Sequence, residues 1–490
     1  MSAGNFNIFN FKDKKVTTLH LSWFAFFITF FMWFSHTSLM PLIVATFGLS
    51  QAEAKALLFL NVALTIPSRT IVGMLVDKFG PRLMFSVLLV ISGILCILFS
   101  MAQSYEQLAS LRFLLGFAGA GFVIGIRLIT EWFPAKQAGT AQGIYGGWGN
   151  FGAAAAGFLL PALAAYFGGD EGWRGAAGSA GVVSIVYAVI FYAFVSNTPK
   201  GATYFSPKKL GPMEVTSRGD YFLYIIMCAP MFLAMGVIAW RLSPAGVNLI
   251  SEGVTQAIWI GLALWYGYQI VQISKVNKTN LQEGVAPLHR YKFKQVALLN
   301  LAYMVTFGSE VAVVSMLPLY FIETFSVSIA MAAAMASSFM AMNLIARPGG
   351  GYISDKIGRK KSLLITVVCS AIGYFGMSLI ESSWSILATM VIVIFCSFFV
   401  QAGAGATFGV VPTIKRRLTG QIAGLTGAYG NIGAASFLLV YSLSDATTFF
   451  IVIAVSCAVV FLLIMLLLDE PKGEIAEMLP DGTVELIRVD

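Results

Sequence analysis

The sequence predicts an all-α polytopic membrane protein. It is read as two six-helix bundles related by pseudo-two-fold symmetry, plus a two-helix insertion between the halves, fourteen spans in all. Three observations lead there. The 490 residues are 58% hydrophobic and only 11% charged, with a mean hydropathy of +0.81, outside the range of soluble domains. Apolar stretches of about 20 residues, the length that crosses a hydrocarbon core, recur along the chain. Finally, one string occurs twice. Arg69, Gly73, Asp77, Lys78 and Gly80 stand in the pattern R-x3-G-x3-D-K-x-G, and Arg347, Gly351, Asp355, Lys356 and Gly358 repeat it at a constant offset of 278 residues.

The first half is read as spans over 19–47, 54–76, 82–102, 107–131, 138–166 and 174–196. The second half is read as spans over 295–321, 327–352, 362–380, 384–408, 420–442 and 447–468. The first stretch is too long for a secretory signal peptide and lacks a clear small-residue cleavage site. Two further apolar stretches, 221–241 and 256–274, lie between the halves. The alternation of charge favours two crossings there. Pro230 and the polar, Gly-containing second stretch leave a re-entrant or interfacial element as the alternative. The expected organisation is an N-terminal bundle over 1–200, a linker with an extra hairpin over 201–293, a C-terminal bundle over 294–468, and a short polar tail over 469–490 that does not read as a folded domain.

Basic residues orient this thread. Of the 31 Lys and Arg residues, 24 fall on one face, among them Lys12, Lys14, Lys15, Lys78, Arg82, Lys208, Lys209, Lys275, Lys278, Arg359, Lys360, Arg416 and Lys472. The opposite face holds Lys55, Arg112, Arg174 and Arg241, while Arg69, Arg127 and Arg347 lie within spans. The positive-inside rule then makes both termini cytoplasmic, in a plasma (inner) membrane. It also explains the net charge of +8 without nucleic acid. The five cysteines (Cys96, Cys228, Cys369, Cys396, Cys457) all fall in apolar spans, with no pair at metal-ligand spacing. They read as small core residues, so neither a disulfide nor a metal site is expected. No nucleotide-binding loop or nucleophile–base set appears, which argues against an enzyme, and no cofactor is expected.

The duplicated string places chemistry at mid-membrane. Each arginine precedes its aspartate by eight residues, about 12 Å along a helix. A buried arginine in each half is costly, and an anionic cargo supplies the reason. The bland alternative is snorkelling, or a pair with a buried acid. The mid-span depth opposes snorkelling, and no acid lies one turn away on either helix. Gly73 and Gly351 permit close helix packing. Asp77 and Asp355 can cap a neighbouring helix end or pair with loop cations, a packing and gating role that says nothing about cargo. A second duplicated signal is G-G-W-G-N-F-G-A-A-A-A-G (Gly146–Gly157) in one half and G-A-Y-G-N-I-G-A-A-S (Gly427–Ser436) in the other. Asn150 and Asn431 occupy matching places, and Gly149, Gly152, Gly430 and Gly433 lie on small-residue faces that let helices approach closely.

These residues carry a resemblance. G-M-L-V-D-K-F-G-P-R (Gly73–Arg82) and G-Y-I-S-D-K-I-G-R-K (Gly351–Lys360) resemble the loop between helices 2 and 3 of the major facilitator superfamily and its counterpart in the second half. The Gly-Asn segments look like the signature of the nitrate/nitrite porters within it, and the likeness covers nearly everything but the central hairpin and the tail. It implies that Arg69 and Arg347 clamp a nitrate or nitrite anion from opposite halves. Guanidinium suits that task, being planar with a donor fork that matches two oxygens at once. It further implies that Tyr303 donates to the anion, that Phe307 stacks on it, and that Phe122 is the opposing ring. Tyr303 and Phe307 are four apart, hence on one helical face. Asn150 and Asn431 either donate to the anion or only bridge helices.

Uptake of an anion against a negative-inside potential opposes about 2.3 kcal/mol per charge per 100 mV. Glu310, seven residues beyond Tyr303, bears on how this is met. An ionised carboxylate is expensive inside a span, so it can exchange a proton on each cycle; the alternative is a fixed partner for an arginine across the cavity. The resemblance favours the first, because exchangers of nitrate for nitrite tend to lack this acid while plant and fungal importers carry a similar glutamate. Arg127 and Glu131, four apart, are expected to pair near the inner mouth. Arg112 resembles the helix 4 arginine often seen in the superfamily, and His36 either carries protons or is hydrogen-bonded packing. The leading expectation is a monomeric proton-coupled nitrate importer, with nitrite also possible, working by alternating access in the lipid bilayer. Its rivals are nitrate/nitrite exchange, a nitrate sensor without turnover, and a passive anion channel.

Overall fold

A computed structural model describes residues 7–169, 171–204, 206–207, 211–246, 248–286, 290–470, 473–478 and 484–488. Lys208, Lys209 and Lys472, assigned above to the basic face, lie outside the described residues. The N-terminal half runs through α1 (Lys14–Phe47), α2 (Gln51–Ala63 continued by Thr65–Phe79), α3 (Pro81–Ser100), α4 (Tyr105–Trp132), α5 (Ala135–Phe167) and α6 (Gly172–Phe194). The insertion supplies α7 (Arg218–Leu242) and α8 (Glu252–Glu283). The C-terminal half follows as α9 (Phe293–Phe325), α10 (Ile329–Ala341 continued by Asn343–Ile357), α11 (Arg359–Ser378), α12 (Ile386–Thr413), α13 (Arg416–Leu443) and α14 (Ala446–Leu467).

Among the described residues, eleven helices are long and apolar enough to cross a membrane. The other three are α2 and α10, which carry the repeated arginines, and α8, which is polar beyond Ser274. Helices α2 and α10 are each interrupted at one residue, Leu64 and Met342, five positions before the arginine and 278 residues apart. A proline lies near each interruption. Pro348 has no N–H to give the carbonyl of Leu344, and Trp148 Nε1 of α5 donates to that carbonyl instead, at 3.3 Å.

The halves meet where α2 crosses α13 and where α5 crosses α10. Both crossings are so close that a methyl group would not fit. A Cβ on Gly73 would lie 2.3 Å from the Gly420 carbonyl, and one on Gly351 would lie 1.9 Å from that of Gly139. Helix α7 lies along the α2–α13 seam. The Tyr429 hydroxyl of α13 donates to the Met227 carbonyl at 2.8 Å, and Thr70 of α2 contacts the Met231 sulfur at 3.9 Å. The tail is more ordered than its composition suggests. Glu470 accepts from the backbone N–H groups of Arg359 and Lys360 at 2.7 and 2.8 Å, capping α11, and antiparallel strands β1 (Glu474–Met478) and β2 (Val484–Arg488) follow.

Arg112 lies eight residues into α4. It is fully buried within the N-terminal bundle and donates to the Trp33 carbonyl. His36 is buried as well, with its Nε2 3.2 Å from the Thr37 hydroxyl.

Candidate functional site

The two repeated arginines converge between the halves, and both are buried. Phe307 is the common element. Its ring centroid lies 5.2 Å from the Arg69 guanidinium carbon and 5.3 Å from that of Arg347. Arg69 also sits 5.5 Å from the Phe122 ring. Cations over aromatic faces are attracted by the ring quadrupole, more so where water is excluded.

Phe307 owes its place to two local features. Helix α9 widens into a π-helical turn over Met304–Gly308, a distortion often found at functional sites. Gly430 of α13 then leaves room for the rings, because a Cβ there would stand 2.6 Å from Phe307 and 2.7 Å from Tyr303. The Tyr303 and Phe307 rings lie parallel at 5.0 Å, on the helical face that their spacing of four gives them. Phe122 stacks on Tyr303 at 5.9 Å, with 6° between the planes. Tyr303 thus parallels both phenylalanines, where the resemblance implies a Phe122–Phe307 pair around a ligand. The Tyr303 hydroxyl is buried without a hydrogen-bond partner.

The polar surroundings of the two arginines differ. Arg69 donates from Nε to the Gly119 carbonyl at 3.0 Å and from Nη1 to the Gly427 carbonyl at 2.8 Å, while its Nη2 has no partner. Among the described residues no carboxylate pairs with it. Arg347 is bound on two sides. Its Nη2 meets Glu310 Oε2 at 2.9 Å. With the Asn150 amide oxygen turned toward the guanidinium, that oxygen accepts from Nη1 at 2.7 Å, Nη2 at 2.9 Å and Nε at 3.2 Å; this orientation puts an acceptor, not a donor, against the cation. Asn431 has no such contact. Its Nδ2 reaches the Gly427 carbonyl at 3.3 Å, the same oxygen that Arg69 uses, and its Oδ1 is unpartnered.

Asn343 is a further site residue that the sequence reading passed over. Its Nδ2 donates to Glu310 Oε1 at 2.6 Å. Its position four residues before Arg347 was the available signal, since i and i+4 share a helix face. A cavity of about 40 Å³ touches Asn150, Phe307, Glu310, Asn343, Phe34 and Ser315. That volume is room for at least one ordered water.

Toward the basic-loop end the two halves are tied together by side-chain contacts. Asp77 accepts from the N–H groups of Gly420 and Gln421 at 2.9 and 2.8 Å, at the start of the α-helical run from Thr419, and pairs with Arg127 Nε at 3.1 Å. Arg127 also pairs with Glu131 at 2.8 Å, as its spacing predicts. Tyr204, from the linker, stands 3.3 Å from Arg127 Nε and donates to the Val76 carbonyl at 2.6 Å. In the other half Asp355 accepts from Gly139 N, Thr140 N and Thr140 Oγ1 at 3.0, 2.7 and 2.8 Å. Each aspartate of the repeat therefore fastens its own half to the first turns of a helix in the other. Gly149, Gly152 and Gly433 serve the packing: a Cβ on each would strike Phe26, the Phe27 carbonyl and the Met304 carbonyl, respectively.

Known proteins share this plan. The family model described as Major Facilitator Superfamily matches residues 22–438 and 299–482. The nitrate/nitrite transporter NrtP of Picosynechococcus sp. is 42% identical over 516 residues, covering 97% of this chain and 96% of the relative. The protein of the same name from Nostoc punctiforme is 41% identical over 476 residues, covering 96% and 95%. The chain belongs to the nitrate/nitrite porters of the major facilitator superfamily. That superfamily consists of transporters, not enzymes. More distant relatives of the porter include a protein of Thermus thermophilus named "Probable nitrate/nitrite antiporter NarK1", 26% identical over 464 residues, covering 89% and 87%. Among solved structures, the proton:xylose symporter XylE matches with a TM-score of 0.62 at 15% identity, covering 93% and 96%. The human organic anion transporter MFSD10 matches with 0.62 at 11% identity, covering 92% and 99%. These two likenesses concern the fold alone.

Proposed function

We propose that this membrane protein imports nitrate, and nitrite as well, by proton symport. The observation that carries the reading is the unequal pair of buried guanidiniums flanking Phe307, of which only Arg347 has a carboxylate partner. With Glu310 ionised the centre carries one net positive charge, which a monoanion neutralises. Arg69 keeps an unpartnered Nη2, and the Tyr303 hydroxyl beside it is unpartnered too, so these are the first donors for the anion. Arg347 becomes available when a proton on Glu310 weakens the ion pair. The anion and the carboxylate thus compete for one guanidinium, and this competition couples substrate to proton.

The cavity beside Glu310 supplies the approach from the side away from the basic loops. The aspartate contacts at the basic-loop end keep the inner side shut in this conformation, and rocking the halves about the central site would exchange the open end. In this reading both termini are cytoplasmic, the membrane is the plasma membrane, and a single copy suffices. The antiporter name of the Thermus relative favours one second reading, nitrate/nitrite exchange on the same fold. Proteoliposomes separate the two. Symport gives nitrate uptake into empty vesicles under an inward proton gradient. Uptake that needs internal nitrite and ignores the gradient would replace symport by exchange.

A further inference from the structure

We propose that the cleft between the basic-face ends of α7 and α8 binds the head group of an anionic phospholipid. The cleft is a cavity of about 400 Å³, remote from the arginine centre, lined by Tyr221 of α7 and by Ser274, Lys275, Lys278, Leu281 and Gln282 of α8. Lys275 and Lys278 are one helical turn apart and exposed, and no carboxylate is among the lining residues. Two cations at one mouth without a counter-charge suit a phosphodiester.

The occupant follows from what lies along the same stripe of α8. Leu264, Tyr268, Val271, Lys275, Lys278 and Gln282 recur at intervals of three and four, so they share a face. The first three are 71%, 61% and 48% exposed. The helix is mainly apolar through Ile273 and polar from Ser274 to Glu283. The stripe therefore runs from apolar to basic at one level, the level where lipid phosphates meet acyl chains. A free inorganic anion would use the lysines and leave the apolar part uncovered. A lipid uses both.

The floor of the cleft narrows the head-group chemistry. The Tyr221 and Ser274 hydroxyls are 2.7 Å apart, and Ser274 also donates to the Ile270 carbonyl at 2.7 Å. Tyr221 must then donate to Ser274, so both hydroxyl protons are engaged and the pair presents lone pairs only. A head group with hydroxyl donors beside its phosphate, such as phosphoglycerol, satisfies the lysines and this floor together.

The test uses the full-length purified protein with phosphatidylglycerol and phosphatidylcholine of matched chains, and reads bound lipid by native mass spectrometry. The wild type should prefer phosphatidylglycerol by about 30-fold, two lysines at the membrane surface acting together. Lys275→Gln/Lys278→Gln should bring the ratio near one. Lys136→Gln/Lys361→Gln, which removes two exposed cations elsewhere on the basic face, should leave it unchanged. A wild type without preference, or a Lys275→Gln/Lys278→Gln variant that keeps it, overturns the proposal. Displacement of phosphatidylglycerol by millimolar inorganic phosphate would also overturn it, in favour of a free-anion site. No arm involves nitrate, so the outcome is independent of the transport reading.

Discussion

Arg69 and Arg347 are equivalent in the repeat and inequivalent in their contacts. Arg347 is held by Glu310 and Asn150, whereas Arg69 leans on two backbone carbonyls. Lysine keeps the charge at either place but loses the planar fork. Two charge-assisted hydrogen bonds forfeited together lower affinity by about 100-fold or more. Arg69→Lys and Arg347→Lys should each abolish measurable nitrate uptake at normal expression; normal uptake by either would remove the clamp. Glu310→Gln imitates the protonated acid and removes the ionic partner of Arg347, leaving its Asn150 contact in place. Nitrate binding, read by calorimetry, should persist in that variant, while uptake loses its response to a pH gradient. Retention of the full response would clear Glu310 of coupling.

At the scale of elements, the glycines of the Gly-Asn segments shape the space around the two arginines. Gly430 is the clearest case, since a single added methyl group meets the Tyr303 and Phe307 rings. Moving those rings shifts the surface shared by the two guanidiniums. Gly430→Ala should therefore weaken nitrate binding by about tenfold, the cost of a modest overpacking, with helix content unchanged by circular dichroism. Wild-type affinity in that variant would show that the ring positions are not tightly required. Asn150 and Asn431, matched in sequence, part company here too: one faces a guanidinium directly, and the other reaches its arginine only through the Gly427 carbonyl.

At the scale of the whole molecule, closure at the basic-loop end rests on two related latches, Asp77 on α13 and Asp355 on α5. Each uses a carboxylate against backbone N–H groups across the interface between halves. Asparagine keeps the shape but supplies one neutral acceptor. Hydrogen bonds to charged groups contribute about 1.5–3 kcal/mol, so in the proposed rocking cycle Asp77→Asn or Asp355→Asn should shift the population toward opening at the basic-loop end by tenfold or more. Thiol labelling of a cysteine placed at Gly143, which a Cβ would press against the Arg347 carbonyl, would itself disturb the crossing. Proteolysis of the Tyr204 linker is a gentler readout and should accelerate in both variants. Unchanged cleavage would mean that other contacts hold the closed end.

The sequence by itself determined the membrane class, the duplication and the helical face shared by Tyr303 and Phe307. Each of these depends on composition or on spacing along one helix, which the chain carries locally. It did not disclose that Glu310 meets Arg347, that Asn343 meets Glu310, or that Asn150 alone of the matched asparagines touches a guanidinium. Glu310 and Arg347 stand 37 residues apart on α9 and α10, and Asn150 and Arg347 stand on opposite halves. Only the crossing of α5 with α10, together with the π-helical turn in α9, decides which side chains face one another. Repetition in sequence gave two equal arginines; packing gave one of them a counter-ion, because a single acid emerges from one side of a pseudo-symmetric centre.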